Sequence, residues 1–362
     1  MQTGSNDAIR RATRVYTKLG LAVWLYTTAS SWVCSLPWFG AAARDASSIS
    51  LGEPIREPRR FRATRFSADG QGLSPMSIDE STLTPSNSYG IWSVAKNLVP
   101  LFALYALAPV VADRSIVLAW TSTPFAGLLI YRLTMAMHDC GHLTLFSTRG
   151  VNVAVGRLLG FVSGVDFDRF RDRHREHHRN HGRPGDPQGF HYVGISNMSR
   201  PAFLWHLLKP LFGLNLKYVY AESLLSPLNL RRALRSAEMA GFIATQGVVF
   251  VLITAAGRHP SLILLPMVGA MTFGLFFSQL RGMAEHGIRA ADAHAARLVR
   301  SHRADWLGSL LLFDVHFNYH AEHHEHPGVP SCRLPGLSTV TGGARTSRAS
   351  MWHTLRRMLY GP

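Results

Sequence analysis

Uncharged apolar runs alternate with basic, polar stretches along the chain, and the clearest runs come in pairs. Leu98–Ala112 is apolar with Pro100 and Pro109 inside it, and Ile116–Met137 is apolar apart from Arg132. Between them lie only Asp113, Arg114 and Ser115, enough for a turn. Met239–Ala256 and Ser261–Leu280 repeat the arrangement around Gly257-Arg258-His259-Pro260. Runs approaching about 20 residues match the hydrocarbon thickness of a bilayer. A segment in lipid must satisfy its own backbone polar groups, which selects the helix. The pattern predicts an all-α membrane protein with four transmembrane helices as two hairpins.

Two hairpins put residues 138–238 and 281–362 on one side of the membrane. Both stretches are rich in arginine, which assigns that side to the cytoplasm and makes it a cytoplasmic helical cap. Within it, Val151–Val165 and Pro201–Tyr220 are shorter apolar patches. The second carries Lys209 and Lys217 among Leu, Phe and Trp, the composition of an amphipathic helix lying in the membrane interface.

Upstream the pattern weakens. Arg10, Arg11, Arg14 and Lys18 precede an uncharged run, Leu19–Ala43, that hydroxyl residues and Pro37 dilute. As a span it would place its basic flank outside, against the positive-inside rule. Residues 44–90 are rich in Ser, Arg and Pro without periodicity. Residues 1–90 are therefore read as an N-terminal extension, either a disordered or targeting segment or an over-long start with Met76 as the working one. Residues 91–362 are read as the functional domain.

Charge and cysteine usage narrow the chemistry. The formal net charge is +16. The arginines flank apolar runs without interleaved aromatics, which disfavours nucleic acid and fits an anionic leaflet. Cys34, Cys140 and Cys332 form no CxxC pair, which disfavours disulfides and thiolate-held metal. Histidine is the distinctive residue. His320, His323 and His324 repeat the i, i+3, i+4 spacing of His174, His177 and His178, and His138 and His142 are spaced i, i+4. On helices each set shares one face. Eight imidazoles exceed what a zinc site uses, and an all-nitrogen set suits a borderline metal such as iron.

His138-Asp139-Cys140-Gly141-His142, His174-Arg175-Glu176-His177-His178 and His320-Ala321-Glu322-His323-His324 resemble the three histidine boxes of the membrane fatty acid desaturase and hydroxylase superfamily. Leu145-Phe146, Gly185-Asp186-Pro187, Asn318-Tyr319 and Pro327-Gly328-Val329-Pro330 around the boxes are similar to acyl-lipid desaturases. The likeness runs over about residues 92–340. It implies two iron ions and a ninth ligand between the last span and the third box, a position held by His286. Some members carry an asparagine four residues before that histidine, where this chain has Gly282. Asp139, Glu176, Glu285, Asn318 and Glu322 are placed to orient the ligand rings from outside. His181, His316 and His326 are read as supporting rather than ligating, and no side chain beyond the metal centre is assigned a catalytic role.

The resemblance further implies an O2-dependent desaturase that places a cis double bond in a fatty acyl chain. Electrons would come from a separate carrier, ferredoxin or cytochrome b5, and an arginine-rich face suits an acidic partner. A hydroxylase or ketolase acting on a lipid would use the same centre, since placement of the substrate decides the outcome. A membrane metal-binding or transport protein is the remote alternative. It needs ionisable groups at mid-membrane, where the spans offer little beyond Arg132 and Gln246.

Overall fold

The computed structural model describes residues 62–63, 76–77, 84–219, 222–223, 237–255, 259–287, 299–340 and 349–360. The expected Leu19–Ala43 run and most of the 44–90 stretch lie outside them. Among the described residues the only strands are Arg62–Ala63 and Met76–Ser77, an antiparallel pair with Arg62 opposite Ser77. All other regular structure is helical.

Four helical stretches are long and apolar enough to cross a membrane: Asn87–Ala112, Ile116–His142, Ala237–Thr254 and Pro260–His286. Helix α1, Asn87–Ala112, begins well before the apolar run, because Ser86 caps it by accepting from the Tyr89 N–H. Pro100 and Pro109 lie inside it, as helices in lipid tolerate. After the turn at 113–115, α2 (Ile116–Trp120) is capped by Ser115 and leads through Thr121 and Ser122 into α3, Thr123–His142. The sequence places His138 just past a helix ending at Met137. Instead α3 continues through the whole first box and stops when Leu143 turns left-handed, at φ 64°. Nothing in His-Asp-Cys-Gly-His breaks a helix, so the box rides on the last two turns.

Helices α4 (Arg149–Ser163) and α5 (Phe167–Asn180) follow, joined by a left-handed Gly164 and the Asp166 N-cap. The patch predicted as one interfacial helix over 201–220 is three pieces. Helix α6 spans Arg200–Leu208, a 3-10 turn covers Lys209–Phe212, and one helical turn covers Leu216–Val219. Pro210 withholds an N–H and Gly213 turns left-handed, so continuous α-helix ends there. Leu204, Trp205, Phe212 and Leu214 in this stretch are nonetheless exposed.

Helix α7 is Ala237–Ala255. The last long stretch opens as 3-10 helix and continues as α8 (Leu265–Gly269), a π-helical turn at Ala270–Gly274, and α9 (Leu275–His286). Backbones nearly touch where α3 crosses it. A Cβ on Gly127 would fall 2.5 Å from the Gly269 carbonyl oxygen and from Phe273 Cβ. Small residues permit this approach, as is common between helices in lipid. Ile91, Val99, Val117, Phe125 and Ile243 on the long helices are exposed, the distribution expected where lipid is the solvent.

Past α9 come α10 (Trp306–Leu311), α11 (His320–Glu325), α12 (Leu334–Val340) and α13 (Met351–Tyr360). Between α10 and α11 the chain knots around buried Asp314, which pairs with Lys96 and Arg132 and accepts from Asn97 and the Val315 N–H. Arg132, the charge inside the second apolar run, is thereby satisfied; it also donates to Asn97 and the Leu310 carbonyl. Val315 and His316 are left-handed, at φ 48° and 56°. For a β-branched residue that is a strained backbone.

Candidate metal centre

The nine histidines expected as ligands converge on one place. The structure sorts them into two groups: His138, His142, His174, His178 and His323 in one, and His177, His286, His320 and His324 in the other. Within each group the ligand-capable nitrogens all lie within 4.8 Å of one another. The spacing within the boxes explains the sorting. On α5, His174 and His178 project together while His177, one position off that line, faces the second group. On α11 the roles reverse, with His320 and His324 in the second group and His323 in the first. Two such helices facing each other therefore interleave two clusters. The rings of His178 and His324 stack across the boundary at 4.2 Å.

The nitrogens are spaced as ligands are. His174 Nε2 and His178 Nε2 are 2.9 Å apart, His178 Nε2 and His323 Nε2 3.2 Å, and His286 Nε2 and His320 Nε2 2.9 Å. Two nitrogens at right angles on an ion with ordinary bond lengths would be separated by about 3 Å. The Nε2 atoms of His138, His142, His177 and His324 are buried with no hydrogen-bond partner. Such atoms are costly unless something else occupies their lone pairs. Burial first, then repulsion from neighbouring imidazoles, pushes His174, His178, His320, His323 and His324 below the ordinary histidine range. That direction favours the neutral imidazole, which is the form that binds metal. The donor set fits a pair of first-row ions and has no thiolate.

Behind the rings stand oriented partners. Asp139 Oδ1 lies 3.0 Å from His138 Nδ1. Asp186 holds His177 Nδ1 at 2.9 Å and also receives the Tyr192 hydroxyl and the Gln188 N–H. Burial raises the Asp186 pKa, but these donors outweigh it and hold it below the usual carboxylate value. Gln188 Nε2 sits 3.3 Å from His174 Nδ1. Asp186, Gln188 and Tyr192 carried no role in the sequence reading, although the Gly-Asp-Pro turn after the second box was the available signal.

The residues expected to orient the rings behave unevenly. Glu285 Oε2 lies 3.3 Å from His320 Nε2, the ring nitrogen that also faces His286. Glu322 receives the Ser301 hydroxyl, and Asn318 donates to the His302 carbonyl, so both fasten the 299–302 segment to the third box. Glu176 is exposed on α5. His181 lies within the second group's surroundings, 4.9 Å ring to ring from His324. His316 stacks on Tyr89, and His326 is buried just past α11. At Gly282 an added Cβ would fall 2.9 Å from His191 Cβ, so His191 fills the space that a longer side chain would need.

A partly open cavity of about 100 Å³ reaches the first group. His138 and His174 form its inner wall, with Tyr131, Met135, Phe170 and Phe317 around them. Comparison with known proteins agrees with this geometry: the family model described as fatty acid desaturase matches residues 115–355, which include all nine histidines of the two groups. No curated protein matches the chain.

Proposed function

The chain belongs to the fatty acid desaturase family, and from that premise we propose that it is an O2-dependent di-iron desaturase that forms a cis double bond in a fatty acyl chain. The observation that carries this reading is the pair of converging imidazole groups, one of which opens onto a cavity walled in part by Tyr131, Met135, Phe170 and Phe317. Iron bound there supplies the O2 chemistry that hydrogen removal from an unactivated methylene requires. In this proposal His138, His142, His174, His178 and His323 hold one ion, and His177, His286, His320 and His324 the other.

The chain's own residues do the positioning. Asp139 and Asp186 accept the Nδ1 protons of His138 and His177, leaving each Nε2 lone pair aimed at a metal. Tyr131, Met135, Phe170 and Phe317 exclude water and confine an alkyl segment beside His138 and His174. The four apolar stretches act as two membrane hairpins, turning at Asp113–Ser115 and near His259. Both histidine-bearing ends, of α3 and α9, then meet on the cytoplasmic side, within an arginine-rich cap suited to an acidic electron carrier such as a ferredoxin or cytochrome b5. Residues 91–362 form the catalytic domain, and residues 1–90 are an extension.

Lipid profiling of a host with and without the chain tests the reaction, and metal analysis of the active purified protein tests the centre. A new cis alkene and about two irons per chain are the expected results. Zinc at full occupancy in active material would defeat the di-iron assignment. The cavity also has polar side chains beside the metal group, Thr134 and Ser278 among them, which favours hydroxylation as the second reading. A hydroxylated product in the same profile would decide for it.

A further inference from the structure

Arg281 has no role in holding metal, yet it lines the cavity together with His138 and His174. Its guanidinium lies over the Phe317 ring, 4.2 Å from the centroid, and the same ring packs edge-on against His138 at 4.6 Å, with His320 and His323 farther off at 5.6 and 6.0 Å. One phenyl ring therefore links the cation to the first histidine group. Nε and Nη1 of Arg281 are buried without a hydrogen-bond acceptor. The nearest carboxylate, Glu285, is 3.6 Å from Nε, too long for a hydrogen bond, and is also engaged by His320. Glu222, the acidic residue of the cavity wall, is already taken by Arg173 at 2.6 Å. A guanidinium with idle donors, beside a site that gathers metal cations, is costly unless an oxygen acceptor completes it.

We propose that Arg281 anchors the substrate through an oxygen acceptor, a carboxylate or an acyl carbonyl, so that the C–H bond presented to His138 and His174 lies only a few carbons from that oxygen. This rests on the oxidative reading of the same cavity and adds to it a substrate class: a chain oxidised near its polar head rather than at mid-chain. Phe317 acts as the spacer that fixes the offset between anchor and reacting carbon.

The test is binding to the full chain in nanodiscs without metal, by displacement of a fluorescent fatty acid. The competitors are hexadecanoate, its methyl ester and hexadecane. Hexadecanoate, or both oxygenated probes, should bind about ten- to a hundredfold more tightly than hexadecane, the range of a charge-assisted hydrogen bond. An advantage confined to hexadecanoate identifies a carboxylate, and one shared with the ester identifies a carbonyl. Arg281→Gln should bring the oxygenated probes down to the level of hexadecane while hexadecane itself is unchanged, and Arg281→Lys should retain part of any carboxylate preference. Equal binding of all three probes to the unaltered chain would overturn the proposal. So would an equal loss for all three in Arg281→Gln, which would make Arg281 a prop for Glu285. Product analysis separates this from the broader reading. A mid-chain product defeats the anchor and leaves the desaturase, whereas intact oxygen-selective binding with no product from any lipid leaves the anchor and defeats the desaturase.

Discussion

Asp186 reaches back nine residues to His177, with Oδ1 2.9 Å from the ring's Nδ1, while the Tyr192 hydroxyl holds the other carboxylate oxygen. The Gly185 turn, at φ 91°, makes this return possible, because a left-handed residue lets the chain double back under α5. The contact fixes the His177 tautomer, so that Nε2 faces the second histidine group.

Asp186→Ala should therefore weaken metal binding by about ten- to a hundredfold, as the loss of a ring-orienting partner does elsewhere. Asp186→Asn, which can still accept from Nδ1, should lose less. Metal titration of the purified variants checks this, and unchanged affinity in the alanine variant would assign Asp186 to the turn alone.

His286 is the ligand proposed from outside the boxes. It ends α9 and places Nε2 2.9 Å from His320 Nε2. His286→Ala should lose activity and about one iron per chain while the protein still inserts. Iron near two per chain with unaltered turnover would remove it from the centre.

At the crossing of α3 with the π-helical turn, space is the controlling variable. Gly127→Ala puts a methyl group against the Gly269 carbonyl and Phe273, and both are backbone or near-backbone atoms with little freedom to move. The expected cost is about 1–3 kcal/mol, as for other overpacked sites. A lower melting temperature in detergent, with metal content kept in the surviving fraction, would show it; an unchanged melt would mean that the helices separate easily.

Truncation to a chain starting at Met76 keeps Ser86, the cap of α1, and Thr84, whose carbonyl accepts from Arg333. Such a chain should insert and make product at the level of the full chain. Correct insertion without product would show that the first 75 residues have a catalytic role.

The four apolar stretches were legible because lipid imposes one rule on every residue of a span, and composition alone expresses it. The histidine spacing was legible for a similar reason, since i, i+3 and i+4 fix a face before any packing is known. Helix ends were not. Polarity begins at His138 and so marks Met137 as a helix end, yet α3 continues through the box to His142. The fate of 201–220 turned on Pro210 and Gly213, whose local geometry overrode an amphipathic composition. Glu176 and Asp186 show the remaining limit. Both are acidic and near the second box, and only the turn at Gly185 decides that the distant one meets a histidine and the adjacent one meets solvent.

The interleaving of α5 and α11 also bears on how the protein is made. His323 completes one histidine group and His324 the other, and both follow every other member of their group in the chain. During synthesis, all four apolar stretches leave the ribosome before either group is whole. Metal therefore enters a chain whose apolar stretches and third box have already been made. A ribosome-bound intermediate stopped ahead of the third box should hold its helices but no stable metal pair.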